Sequence, residues 1–157
     1  MLNICRDISR RFLGPMAALA LISAITVPAR ADDPPYYSPG GVALSGYDAV
    51  AYFHQGTAQR GSSAHSVVWH GVTWYFTDED SLTAFEMNPT AYEPAFGGYC
   101  AYSVSLGKHM SGDPLAFAIV DDTLVLFHNP GVLAKASDDM TAVLAKASAN
   151  WPAVLDH

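Results

Sequence analysis

The sequence predicts a small α+β domain in which short antiparallel β-hairpins are segregated from helices. Three observations predict it. Two β-branched and aromatic runs, Ser66 to Trp69 and Val72 to Phe76, flank His70-Gly71, and a second such pair, Phe117 to Val120 and Leu124 to Phe127, flanks Asp121-Asp122-Thr123. Gly131 to Ala149 carries Val132, Leu133, Ala136, Met140, Val143, Leu144 and Ala147 at three- and four-residue steps, which is helical periodicity. Strands grouped apart from helices in the order of the chain give α+β.

The elements follow in order. Ala49 to Phe53 is a short apolar run after a Gly46-Tyr47-Asp48 turn and reads as a strand. Gly56 to Ala64 is small and polar and reads as a loop. After the first hairpin, Thr77 or Asp78 caps a helix over about 79–87, with Glu79 and Asp80 in its first turn and Leu82 and Phe85 on one face. Asn88-Pro89 ends it. The longer helix over about 131–149 stops at Asn150-Trp151-Pro152, with Trp151 expected to anchor its end. No internal repeat and no low-complexity tract stands out.

The N-terminus sets the compartment. Arg6, Arg10 and Arg11 form a basic start, Phe12 to Val27 is apolar and uncharged, and Ala29-Arg30-Ala31 is a small-residue cleavage site. That order is a secretory signal peptide over 1–31, cut after Ala31, and it places the protein in the periplasm or outside the cell. Ser9-Arg10-Arg11-Phe12-Leu13 is similar to a twin-arginine signal, the alternative being two arginines in an ordinary basic start. No later segment is long and apolar enough to span a membrane. Residues 32–41, with Pro34, Pro35 and Pro39, read as an extended leader.

Loss of 1–31 leaves four basic and fourteen acidic residues, a net charge of −10. Such a surface repels nucleic acid and suits cations, basic partners or simple solubility. It also leaves one cysteine, Cys100, since Cys5 lies in the signal. A single thiol makes no internal disulfide, so Cys100 is packed, metal-bound or open to a partner.

Trp69 to Thr77 followed by Phe85-Glu86-Met87-Asn88-Pro89-Thr90-Ala91-Tyr92 resembles the YHS domain. Gly46 to Phe53, Gly97 to Tyr102, Asp113-Pro114 and Asn150-Trp151-Pro152 are similar to its exported bacterial branch, so that the resemblance covers about 42–152. Domains of that family occur in copper-transporting ATPases and some oxygenases, and the resemblance implies a metal-associated role. The cysteines typical of metal-associated members are replaced here by Ala49-Val50-Ala51 and Thr77-Asp78. Any site must draw on Cys100, whose thiolate suits copper or zinc, with His65 or His109 assisting and Met110 beside His109. His54 and His70 read as solvated loop and turn residues, and His157 as a terminal one. Gly97-Gly98 is either a tight corner into the Tyr99–Val104 segment or a loop that brings a ligand near Cys100.

A cysteine nucleophile with a histidine base lacks any local signature here, disulfide exchange lacks a resolving cysteine, and there is no nucleotide fingerprint. No catalytic residues are therefore expected. The expectation is a periplasmic protein binding a copper or zinc ion through Cys100, His65 and His109. The alternative is a metal-free interaction or structural module that meets a periplasmic protein partner.

Overall fold

The structure is a computed structural model that describes residues 35–156. The expected export signal, its expected cleavage point, Cys5 and His157 lie outside the described residues. The α+β expectation holds: two antiparallel two-stranded sheets are accompanied by helices grouped around them. Among the described residues no helix is long and apolar enough to cross a membrane.

The first half runs from a tight turn at Ala43–Gly46 into helix α1 (Ala51–His54), strands β1 (Ser62–Trp69) and β2 (Val72–Phe76), and helix α2 (Glu79–Met87). The second half runs from a tight turn at Ala95–Gly98 into α3 (Ala101–Ser105), β3 (Asp113–Val120), β4 (Thr123–Phe127) and α4 (Pro130–Ser137), then adds α5 (Met140–Asn150).

These halves are two copies of one unit. An offset of 51 residues carries Ser62 to Asp113 and Phe76 to Phe127, the first paired residues of each ladder, and Trp69–Val72 to Val120–Thr123, the last. Both ladders slip at the same place, between Ser62 and Ser66 and between Asp113 and Phe117. Both hairpins turn through two consecutive positive-φ residues, His70-Gly71 and Asp121-Asp122, the mirror-image turn that matches strand twist. Both following helices are capped alike: Asp78 Oδ1 accepts from the Ser81 amide at 2.8 Å and Asn129 Oδ1 from the Val132 amide at 2.9 Å.

The tight turns match too, at an offset of 52, the loop before the first ladder being one residue longer than that before the second. Leu44, Ser45 and Gly46 take φ of 50°, 51° and 83°; Phe96, Gly97 and Gly98 take 53°, 58° and 83°. Three successive left-handed residues are costly for side-chain-bearing residues, and glycine relieves the third position in both copies. The residue that follows each turn bridges to the other side of its unit, Tyr47 to Arg60 and Tyr99 to Ser111. The duplication is faint in the sequence, where no repeat stands out, because few matched positions are identical. Gly46-Tyr47 and Gly98-Tyr99, Ala49 and Ala101, Gly61 and Gly112, and Phe76 and Phe127 are among them.

Two further differences from the sequence reading have plain causes. Ala49 to Phe53 leads into helix α1 instead of forming a strand. Ala49, Val50, Ala51 and Tyr52 are all buried, so the run carries no polar alternation to separate strand from helix. The helical stretch 131–149 is divided, because Asp139 leaves helical geometry and caps α5 by accepting from the Ala142 amide at 3.1 Å. In the leader, Tyr36 and Tyr37 pack against Trp69, Trp74 and Tyr99.

The copies share a core but fill it differently. Trp74 and Phe85 in the first copy correspond to Val125 and Ala136 in the second, and all four are buried. Met140, Val143 and Leu144 of α5, each partly buried, pack against the second copy's cluster. The halves are joined where Tyr52 stacks edge-on against Phe117, centroids 4.7 Å apart, and donates its hydroxyl to the Pro114 carbonyl at 3.0 Å.

Asp48 is fully buried and satisfied. Its Oδ1 accepts from the amides of Val50 at 2.8 Å and Ala51 at 3.3 Å, starting α1. Its Oδ2 accepts from the Thr77 amide at 2.9 Å and hydroxyl at 2.8 Å, at the end of β2. Asp48→Ala strands these donors and is expected to lower unfolding free energy by about 3–5 kcal/mol, against about 1–2 for Thr77→Val, in urea denaturation. A loss below about 1 kcal/mol for Asp48→Ala would remove its structural role.

Candidate functional site

The three residues expected to bind metal stand in different surroundings. Cys100 is 1 % exposed. It packs with Ala101, Ala116, Val125, Phe127 and Ala136, an apolar cluster between the second hairpin and α4. His65 is on β1, where its Nδ1 lies 3.4 Å from Glu79 on α2. His109 sets its Nδ1 3.1 Å from the Val154 carbonyl and its ring edge-on to Tyr99, near the C-terminal turn. Among the described residues no group of three or more His, Cys, Asp or Glu side chains is placed to hold a metal ion. His54 meets Tyr92 and His70 lies in the exposed hairpin turn.

The duplication explains what Cys100 is doing. It occupies in the second copy the place that Asp48 holds in the first: Asp48 N–H donates to Gln59 O and Cys100 N–H to Met110 O, at 2.8 and 2.9 Å. The thiol makes no cap to α3, unlike the carboxylate that starts α1. The position of Thr77 is taken by His128, which no spacing in the sequence singled out. Its Nδ1 turns to the Ser111 carbonyl, 3.1 Å away, and to the Ser111 hydroxyl, 3.3 Å away. The polar staple of one copy is thus replaced in the other by a packed thiol and a histidine turned to Ser111.

A cavity of about 420 Å³ opens where the copies meet. His70 of the first hairpin turn and Thr123 of the second border it, with the segment joining the copies (Thr90 and 93–97), Trp151, and Pro35-Tyr36 of the leader. The leader crosses as a strap. Tyr37 N–H donates to Gly97 O at 2.9 Å, and a Cβ on Gly97 would overlap the Pro35 carbonyl oxygen. Tyr36 is held by edge-on contacts to Trp69 and Trp74, centroids 6.0 and 5.6 Å apart, and its hydroxyl donates to Glu93 Oε2. Phe96 and Trp151 meet at 6.0 Å on the far wall. No lysine or arginine lines the cavity, and Glu93 forms no salt bridge among the described residues.

Burial, reinforced by the hydrogen bond and charge of Glu93, raises the Tyr36 hydroxyl above its usual range, so it remains a donor through neutral and mildly alkaline pH. Sequence reasoning passed over this site because Tyr36, Glu93 and Trp151 are far apart in the chain and belong to no motif. Burial likewise raises Tyr52, with Tyr47, Asp113 and Asp48 adding to it.

Two outcomes are expected. A phenol raised on folding holds its proton while the unfolded chain loses one, so stability should fall as pH rises above about 10. Tyr36→Phe should flatten that alkaline limb in thermal unfolding, and an unchanged slope would remove the assigned role. Cys100→Asp should destabilise by about 2 kcal/mol or more by placing a carboxylate in hydrocarbon, and adding His128→Thr should recover much of the loss by rebuilding the first copy's staple. Purely additive effects in that double-mutant cycle would break the equivalence of the two positions. Comparison with protein-family models, with curated proteins and with solved structures found no match for this chain.

Proposed function

We propose that the chain is an exported YHS-type binding module that recognises its ligand or partner at the seam between its two copies, without a bound metal ion. The observation that carries this reading is the burial of Cys100, 1 % exposed, in an apolar cluster with five other residues. A copper or zinc ion needs two or more soft or borderline donors converging at about 2.0–2.3 Å. His65 is engaged with Glu79 on the first hairpin, and His109 with Val154 near the C-terminal turn. The seam supplies what a recognition site needs, a concave space with convergent aromatic and polar groups.

Copper or zinc binding is the second reading. What favours it is that His109 and Met110 both border a second cavity, of about 310 Å³, with Tyr99.

Titration of the reduced mature protein with copper(I) and zinc separates the readings. The expected result is no stoichiometric loading in wild type, and a Cys100→Ala variant that folds with a loss of about 1–2 kcal/mol. Loading abolished by Cys100→Ala would overturn the metal-free reading. Loading retained by that variant but lost in His109→Ala and Met110→Leu would establish the second one.

A further inference from the structure

We propose that the seam cavity binds a small organic cation, an amine or quaternary ammonium with an apolar body, with Glu93 and the surrounding aromatic rings as its recognition groups. This rests on the reading of the seam as a binding site and names the class of ligand it takes. Four observations carry it. The volume of about 420 Å³ suits a molecule of metabolite size. Glu93, half-buried, brings the cavity's one carboxylate, and the Tyr36 hydroxyl occupies one of its several acceptor positions. No lysine or arginine lines the space, and among the described residues Glu93 forms no salt bridge, its partner there being the Tyr36 hydroxyl. Tyr36, Phe96 and Trp151 bring aromatic rings, whose faces attract cations, most strongly where water is excluded.

The same observations exclude other ligand classes. An anion would enter beside an unpaired carboxylate with no arginine, lysine or helix of adequate length to receive it. A hard divalent cation wants six or more oxygen ligands, and a single carboxylate among aromatic rings does not provide them. A neutral apolar molecule would bury Glu93 without a compensating charge. An ammonium satisfies the carboxylate and covers the rings at once.

The site is also pre-organised. Tyr36 packs edge-on against two indoles, the strap is fixed to Gly97 by a backbone hydrogen bond, and the Tyr36 hydroxyl orients Glu93. Little side-chain freedom remains to be lost on binding. His70, on the turn of the first hairpin, adds an imidazole at the rim, 5.9 Å from the Tyr36 ring centroid.

The test is calorimetric titration of the mature protein with choline and tetramethylammonium. Matched titrations use 3,3-dimethylbutan-1-ol, choline's uncharged isostere, and acetate, while the Trp151 indole N–H is followed by NMR. The expected result is saturable binding of the cations with a shift at Trp151, weakened about tenfold or more in Glu93→Gln. The uncharged isostere should bind at least tenfold more weakly than choline. Glu93→Gln keeps an acceptor for Tyr36, and its unfolding curve shows whether the fold is intact. Two results would overturn the proposal: no saturable binding of either cation, or binding that Glu93→Gln and the uncharged isostere reproduce. Saturation by the isostere as tightly as by choline, or by acetate, with a Trp151 shift would leave the seam a binding site and refute only the ligand class. Metal loading that depends on Cys100 would instead refute the reading beneath it.

Discussion

The buried carboxylate of Asp48 is the constraint on which the first copy is built. Four donors from two distant segments converge on it. It starts α1, only four residues long, far too short to persist on its own. It also fixes the end of β2 against that helix, just before Asp78 begins α2. With the helix placed, Tyr52 reaches across to Pro114 and Phe117 and joins the copies. The geometry of the seam descends from that chain of contacts.

In the second copy the same position is held by packing. Cys100 contributes a small polarisable group to an apolar cluster, and α3 is secured from outside, where the Asn150 side-chain amide donates to Val104 O at 2.8 Å. One backbone frame therefore tolerates two different chemistries at its centre. The difference in core volume has the same logic. Where the first copy uses Trp74 and Phe85, the second uses Val125 and Ala136, and an additional helix packs against their cluster.

The sequence made the regular elements legible where their signals are local. The Asp78 cap, the His70-Gly71 turn and the Asn88-Pro89 stop place the hairpin turn, β2 and α2 as the structure has them, whereas β1 begins at Ser62, inside the small polar stretch Gly56 to Ala64 that reads as a loop. Ala49 to Tyr52 could not be assigned because a fully buried run has no polar face to reveal its period. The break at Asp138-Asp139 was hidden by apolar residues that keep helical steps on both sides of it. The repeat was hidden because what it conserves is backbone geometry, left-handed turns and ladder register, and different side chains satisfy each. Cys100 was legible as the solitary thiol. Its surroundings come from α3, both strands of the second hairpin and α4 and are a property of tertiary packing. The seam drew no attention for the same reason, since it is assembled from both hairpin turns, the leader and the C-terminal segment.

Duplication also divides the labour of folding. Each ladder zips across its own two-residue turn, so the entropy lost in closing it is small and can be recovered before any distant segment arrives. The bond from Tyr52 to Pro114 spans 62 residues and closes a far larger loop. Secondary structure in this chain is thus a neighbourhood matter, whereas the mating of the halves, and the hollow between them, belongs to the late, cooperative stage of assembly.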